Sequence, residues 1–318
     1  MALTNIQQNM LSEIAGLEAI PEGAFSLRLD GRSAVRQSTE NIEIVPKTDK
    51  PGIDIYIKAG TKGERVDIPV IMTKTGLTDL VYNDFHIGED ADVLIVAGCG
   101  IHNAGHDKSE HDGIHAFHLA RGARLKYYEK HVGEGEGTGE RVMNPTTVIE
   151  MEADSYMEME TAQIKGIDST KRLTKATLGD NATLIIHEKI MTHGKQFAVT
   201  EFEIDLNGEG CGTHAVSRSV AKDESHQEFI SSINGNNRCS GHTECDAIIM
   251  DHGSVVAVPK VIANHTDASL IHEAAIGKIA GEQILKRVED PDAPIFEKVL
   301  TSVYKPYTAP TAQNPSDR

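Results

Sequence analysis

A chain of 318 residues with 48 acidic against 31 basic side chains, a formal net charge of −17, can bury a substantial core, and its surface repels nucleic-acid phosphates and anionic lipids. The absence of tryptophan, the few aromatics and the 28 glycines favour short strands and tight turns over a helical bundle. The first basic residue is Arg28 and the longest apolar run is Val93 to Ala97, so the expectation is a cytoplasmic protein that neither crosses nor binds a membrane, with Cys99, Cys211, Cys239 and Cys245 as free thiols or ligands rather than disulfides.

Residues 3–19 read as a short amphipathic helix, with Ile6, Met10, Ile14 and Leu17 on one face and Pro21 stopping it. Its expected role is packing, as a lid on the end of the main fold. From about residue 25 to 270 short period-two runs such as Asp54–Lys58 alternate with Gly, Asp and Asn breaks. A weak repeat runs through this part. An apolar residue, a polar turn, a small residue and an alternating strand recur around Ala91, Ala123, Ser155, Ala182 and Cys211, spaced 27 to 32 positions apart. Asn264–Glu273 reads as a last copy. That spacing is the scale of a stacked β-coil, which needs neighbours to bury its inner face; a β-sandwich with evenly spaced hairpins is the alternative. After Glu273 the period turns helical through Ile276, Ala280, Ile284 and Val288, and Asp292 and Pro294 open a second helix. The reading is therefore mainly β. A right-handed parallel β-helix (β-solenoid) core over 23–272 is flanked by a short N-terminal helix within 1–22 and C-terminal helices in 273–304, and a disordered tail fills 305–318.

Several constellations bear chemistry. Cys239, His242 and Cys245 form C-x2-H-x2-C; in a regular strand the two thiols share a face and the imidazole points away, so one ion is held only if Ser240-Gly241 breaks the strand. Otherwise Cys245 is a small core residue. His272 and Glu273 also fall on opposite strand faces, unless the switch to helix turns them to one site; Glu273 alone would suit a helix first turn. Between Cys99 and His118 lie His102, His106, His111 and His115, a density that suits a transition metal or a proton-responsive surface, on what the glycines suggest is a loop. Glu150–Glu160 alternates acids with Met151, Ala153, Met157 and Met159, as a strand with a solvated acidic face would. GEGEGTGE at 133–140 lacks the Gly-Lys-Ser/Thr ending of a phosphate loop, so any ATP hydrolysis belongs to another chain.

The words ECDAII (244–249), VAVPKV (256–261), NHTDASLIHEAAIGKI (264–279) and EQ (282–283), with THAVSRSVAKDES (213–225), resemble the SufB/SufD family, β-helical scaffold subunits of the SUF iron–sulfur cluster machinery. The likeness is good over about 180–285 and points to the minimal single-scaffold form. It implies Cys245 as scaffold thiolate with His272 and Glu273 as neighbouring ligands, at an interface between two β-helix subunits. It also implies iron, a transient iron–sulfur cluster, a sulfur donor, a homodimer or heterologous pair, and a SufC-like ABC-type ATPase docking on the C-terminal helices. The cysteine with which SufB receives sulfur has no counterpart here; its strand corresponds to Thr200–Leu206, with Cys211 only nearby. The sequence KRVEDPDAPIFEKVL departs from the usual helix pair, and the histidine-rich stretch lies outside the full-length SufB pattern. Two rival readings stand beside this one: a mononuclear metal-dependent enzyme using His102, His111 and His115, and a purely structural solenoid that binds partners along its acidic face.

Overall fold

A computed structural model describes residues 3–279. Two ten-stranded sheets face each other, and the chain passes from one to the other in each of about eight coils. The first sheet runs, in spatial order, through Arg32–Gln37, Ala24–Leu29, Lys62–Met72, Asp92–His102, Arg124–Glu134, Tyr156–Lys165, Thr183–Thr192, Gly212–Ala221, Ser240–Met250 and Ser269–Ile279. The second begins at the antiparallel pair Ile42–Pro46 and Gly52–Ile57. It continues through Thr78–Ile87, Ser109–Leu119, the split strand Arg141–Met143 and Thr146–Met151, Ser169–Leu178, Phe197–Leu206, His226–Gly235 and Ser254–Ala263. Coil-to-coil pairing is parallel. Among the described residues, only the two hairpins at the N-terminal end are antiparallel. The expected β-helical architecture is thus what the chain forms.

The period-two pattern explains the core. Along Thr183–Thr192 every second side chain points inward, and Leu184 and Ile186 meet Phe202, Ile204 and Leu206 from the facing sheet with almost no exposure. Each such side chain contributes about 1.5–3 kcal/mol when removed from water. No single coil could enclose its own inner face, so the stack is what makes the burial possible.

The repeat sits at one corner of the coil. Asp90, Gly122, Asp154, Asn181 and Gly210 all adopt left-handed backbone, with φ between 53° and 71°, a conformation that Gly, Asn and Asp take at least cost. Each N–H donates to the carbonyl of the coil above, as Asp154 N does to Asp180 O (2.8 Å) and Asn181 N to Glu209 O (2.9 Å). The ladder therefore continues round the bend. The next residue in every case is the buried small one: Ala91, Ala123, Ser155, Ala182, Cys211. Cys239 extends this column by one coil, and Ala268, packed on the core, by another.

Four local expectations are corrected. The helix spans Asn5–Ala15, opened by a Thr4–Gln7 capping box and closed by Gly16. It lies on the outer face of the first sheet rather than over the solenoid end, with Met10 and Ile14 packed on Gly98 and Gly100; the antiparallel hairpins form that end. The histidine-rich stretch is two strands joined by a connection at 103–108, because alternation there outweighs the glycines. Glu150–Glu160 spans two strands and the Asp154 corner, with Met151, Met157 and Met159 inside. The switch to helix at Glu273 is absent: Ser269–Ile279 is a strand in register with Ser240–Met250. The helices expected beyond it and the tail at 305–318 lie outside the described residues. No helix among the described residues is long and apolar enough to cross a membrane.

Candidate functional site

Because Ser240–Met250 is unbroken, strand parity decides where its chemistry faces. Cys245 points inward between Ser217 and Ala274 on the neighbouring coils. His242, Glu244 and Asp246 lie on the outer face. Cys239 also points inward but belongs to the corner column, six residues from Cys245. The C-x2-H-x2-C set therefore does not converge on one ion. His272 pairs with the inward Thr243, and Glu273 pairs with the outward Glu244. Cys245 and His272 thus share the interior, one coil and two residues apart, on the order of 8 Å between backbones. Glu273 is on the other face, its Oε2 3.7 Å from His242 Nε2.

The interior around this pair holds polar atoms without a hydrogen-bond partner, as does the interior at His111, Thr161 and Thr174. His272 Nδ1 and Thr243 Oγ1 are buried without a hydrogen-bond partner, as is Ser231 Oγ on the facing sheet. Buried polar groups are seldom left so. Cys245 is 1% exposed; burial, with Glu188 and Asp246 adding to it, pushes its thiol up to about 12. Burial and the neighbouring His242 push the His272 imidazole down, against the Thr243 backbone and the Glu273 carboxylate, which raise it. The last coil, Ser254–Ala263 and Ser269–Ile279, ends both sheets among the described residues. It also carries five of their nine exposed large apolar side chains: Val256, Val258, Val261, Ile271 and Ile276. Strand edges unpaired among the described residues and flanked by apolar surface are what a covering segment or partner would bury.

The N-terminal histidines are dispersed. His102 faces outward with Nδ1 3.3 Å from Glu134 Oε1, and His106 is exposed, its Nδ1 2.8 Å from Thr138 Oγ1. His118 stacks on His86, which stacks on Tyr56, in an external ladder. His111 and His115 point inward. His115 Nε2 accepts from Asn83 (3.2 Å), and its Nδ1–H donates to Tyr127 O–H (2.8 Å), which donates in turn to Glu129 (3.1 Å). Both ring nitrogens are spent, and burial lowers the imidazole to about 4. Cys99 is buried beside Val70, Met72 and Ile101, and burial raises its thiol well above the usual range. His102, His111 and His115 therefore build no common mononuclear centre.

Sequence reading missed the buried network on the inner face. Arg172 bridges Glu129 (2.7 Å) and Glu188 (3.6 Å), and its Nη2 donates to His131 Nδ1 (3.3 Å). Glu188 accepts from Thr200 (2.9 Å) and from Ser217 (2.7 Å), the residue paired with Cys245. The signal was there as charged residues at inward positions of alternating strands. It also missed His214, the outer-face neighbour of His242.

Comparison with known proteins decides the lineage. Residues 73–285, more than half of the chain, match the family model described as SUF system FeS cluster assembly, SufBD core domain. The chain belongs to the SufBD family. Among curated relatives, an iron–sulfur cluster assembly SufBD family protein of Methanothermobacter thermautotrophicus is 29% identical over 208 residues, covering 62% of this chain and 48% of the relative. A counterpart from Archaeoglobus fulgidus is 25% identical over 246 residues, 76% of this chain and 65% of its own length. One from Pyrococcus horikoshii is 22% identical over 276 residues, 86% and 78% respectively. The chain spans about half the length of the first of these SufBD relatives.

Proposed function

We propose that this SufBD chain is a scaffold subunit on which an iron–sulfur cluster is assembled at the last described coil, with Cys245 and His272 as ligands. The observation that carries the reading is the pairing of an inward thiol with an inward imidazole whose Nδ1, like Thr243 Oγ1 beside it, lacks a partner in the chain. Thiolate and imidazole are the donors that iron and its clusters take. Iron and sulfide are here the cargo, brought by a sulfur donor and an iron source, and the scaffold performs no bond-making catalysis of its own.

A thiol raised to about 12 is protonated at neutral pH and a poor ligand until its surroundings change. Loading therefore requires the last coil to open or to meet a second subunit. The exposed Val256, Val258, Val261, Ile271 and Ile276 support a subunit interface at that end, in a homodimer or a SufB–SufD-like pair. An ABC-type ATPase partner would supply the work of opening. Glu273, on the outer face, would reach the site only through such a rearrangement or from across the interface.

Anaerobic reconstitution of the full chain with ferrous iron and sulfide tests this. Cys245→Ala and His272→Ala should each lose most of the cluster absorbance of the parent. Unchanged absorbance in both would remove the assignment.

A further inference from the structure

The outer face of the same strands carries a second set of donors. His214 and His242 are register partners on adjacent parallel strands, so their rings stack, 4.7 Å between centroids and 9° between planes. Glu244, two residues along from His242, projects on the same side. One ligand atom from each of His214, His242 and Glu244 lies within 4.8 Å of the other two, and His214 Nε2 is 4.0 Å from Glu244 Oε2. Donors about 2.0–2.2 Å from one ion stand roughly 3–4 Å apart, so only a small contraction is needed. Nε2 of both histidines is buried and has no hydrogen-bond partner in the chain.

From this geometry we infer that His214, His242 and Glu244 form a binding site for a divalent first-row ion of the ferrous or zinc class, on the sheet face opposite Cys245. Two imidazoles and one carboxylate leave further positions open for water or another ligand. Arg218 lies 3.8 Å from Glu244 Oε1 and 3.7 Å from Asp246, while Oε2 is the Glu244 oxygen 4.0 Å from His214 Nε2. Glu273 Oε2, 3.7 Å from His242 Nε2, is the nearest candidate for a fourth ligand. A second triad on this face, Glu158, Glu160 and His187, offers only one imidazole.

This site does not depend on the scaffold reading, and the test keeps them apart. Metal-free full-length protein is titrated anaerobically with Co2+ alone, following its visible d–d bands and its stoichiometry by equilibrium dialysis. The expected result is one Co2+ per chain in the parent and in Cys245→Ser. Affinity should fall at least ~10-fold in His214→Ala and in the near-isosteric Glu244→Gln, with unchanged far-UV circular dichroism. No stoichiometric binding by the parent overturns the site, as does affinity unchanged in both variants. Binding lost in Cys245→Ser but kept in His214→Ala would place the ion in the interior instead and overturn it equally.

Discussion

Arg172→Met is the sharpest test of how this solenoid tolerates charge in its core. The guanidinium is 3% exposed and holds two carboxylates, Glu129 at 2.7 Å and Glu188 at 3.6 Å, themselves 2% exposed. Burial pushes the Glu129 carboxyl up, but Arg172 and His131 outweigh it and hold the group well below its usual range. Glu188 stands on the other side of the balance: burial raises it despite Arg172, Ser217 and Thr200. Methionine fills much of the same volume and removes only the charge. Breaking one partner out of a buried pair costs roughly 3–5 kcal/mol, because the remaining charge is uncompensated. We expect a loss of that size in urea unfolding at pH 7. The loss should shrink toward pH 5, where the orphaned carboxylates can take up protons. Adding Glu129→Gln and Glu188→Gln to Arg172→Met should recover more than half of it, since neutral amides need no counter-ion. A loss below about 1 kcal/mol, or strictly additive losses in the combined variant, would refute the idea that these three groups form one electrostatic unit.

Two further outcomes follow from burial and close packing elsewhere in the fold. His115 is lowered to about 4 by burial, against 6.5 in the unfolded chain, so between those values only the unfolded state gains the proton. Stability should therefore fall as pH drops through that window, by about 3 kcal/mol from this group by pH 4. Unfolding midpoints at pH 7, 5.5 and 4.5 would show it, and His115→Gln should flatten the slope; an equal slope in the variant would count against it. At Gly98 an added Cβ would lie 2.5 Å from Ile14 O and 2.7 Å from Ile14 Cβ. Gly98→Val should therefore lift the Asn5–Ala15 helix from the sheet, raising its amide exchange while the interior strands keep their protection. Unchanged exchange in the helix would show that the contact is dispensable.

How much of this was legible in the sequence depends on which interaction decided each feature. The coil repeat was legible because corners impose a local rule: a left-handed residue, then a small one, as at Asp154-Ser155 and Asn181-Ala182. The inward thiols and the outward His242 followed from parity once the strand proved continuous. Continuity itself was not legible. Ala274, Ala275 and Ile276 suit a helix locally, but their register with Cys245, Asp246 and Ala247 holds them in the sheet. The histidine-rich stretch misled for a similar reason. Local density suggested one site, whereas alternation sends His111 and His115 inward and His102 and His118 outward. Arg172 and Glu188 stood in the sequence as charges at inward positions, but nothing local announces that they have found partners on other coils.

The same parity frames the relation between the two candidate sites. Cys245 is flanked in sequence by Glu244 and Asp246, so one strand presents a thiol to the interior and carboxylates to the exterior, separated by a single layer of backbone. The coil beyond repeats the division, with His272 inside and Glu273 outside. An ion on the outer triad is therefore close to the interior thiol yet walled off from it while Ser240–Met250 and Ser269–Ile279 stay paired. Any motion that unzips this ladder both uncovers Cys245 and carries Glu273 away from His242. On the proposed assignment, loading the interior and disturbing the exterior would be one mechanical event. Outer-site affinity should then differ between the closed chain and a chain whose last coil has been opened by a partner.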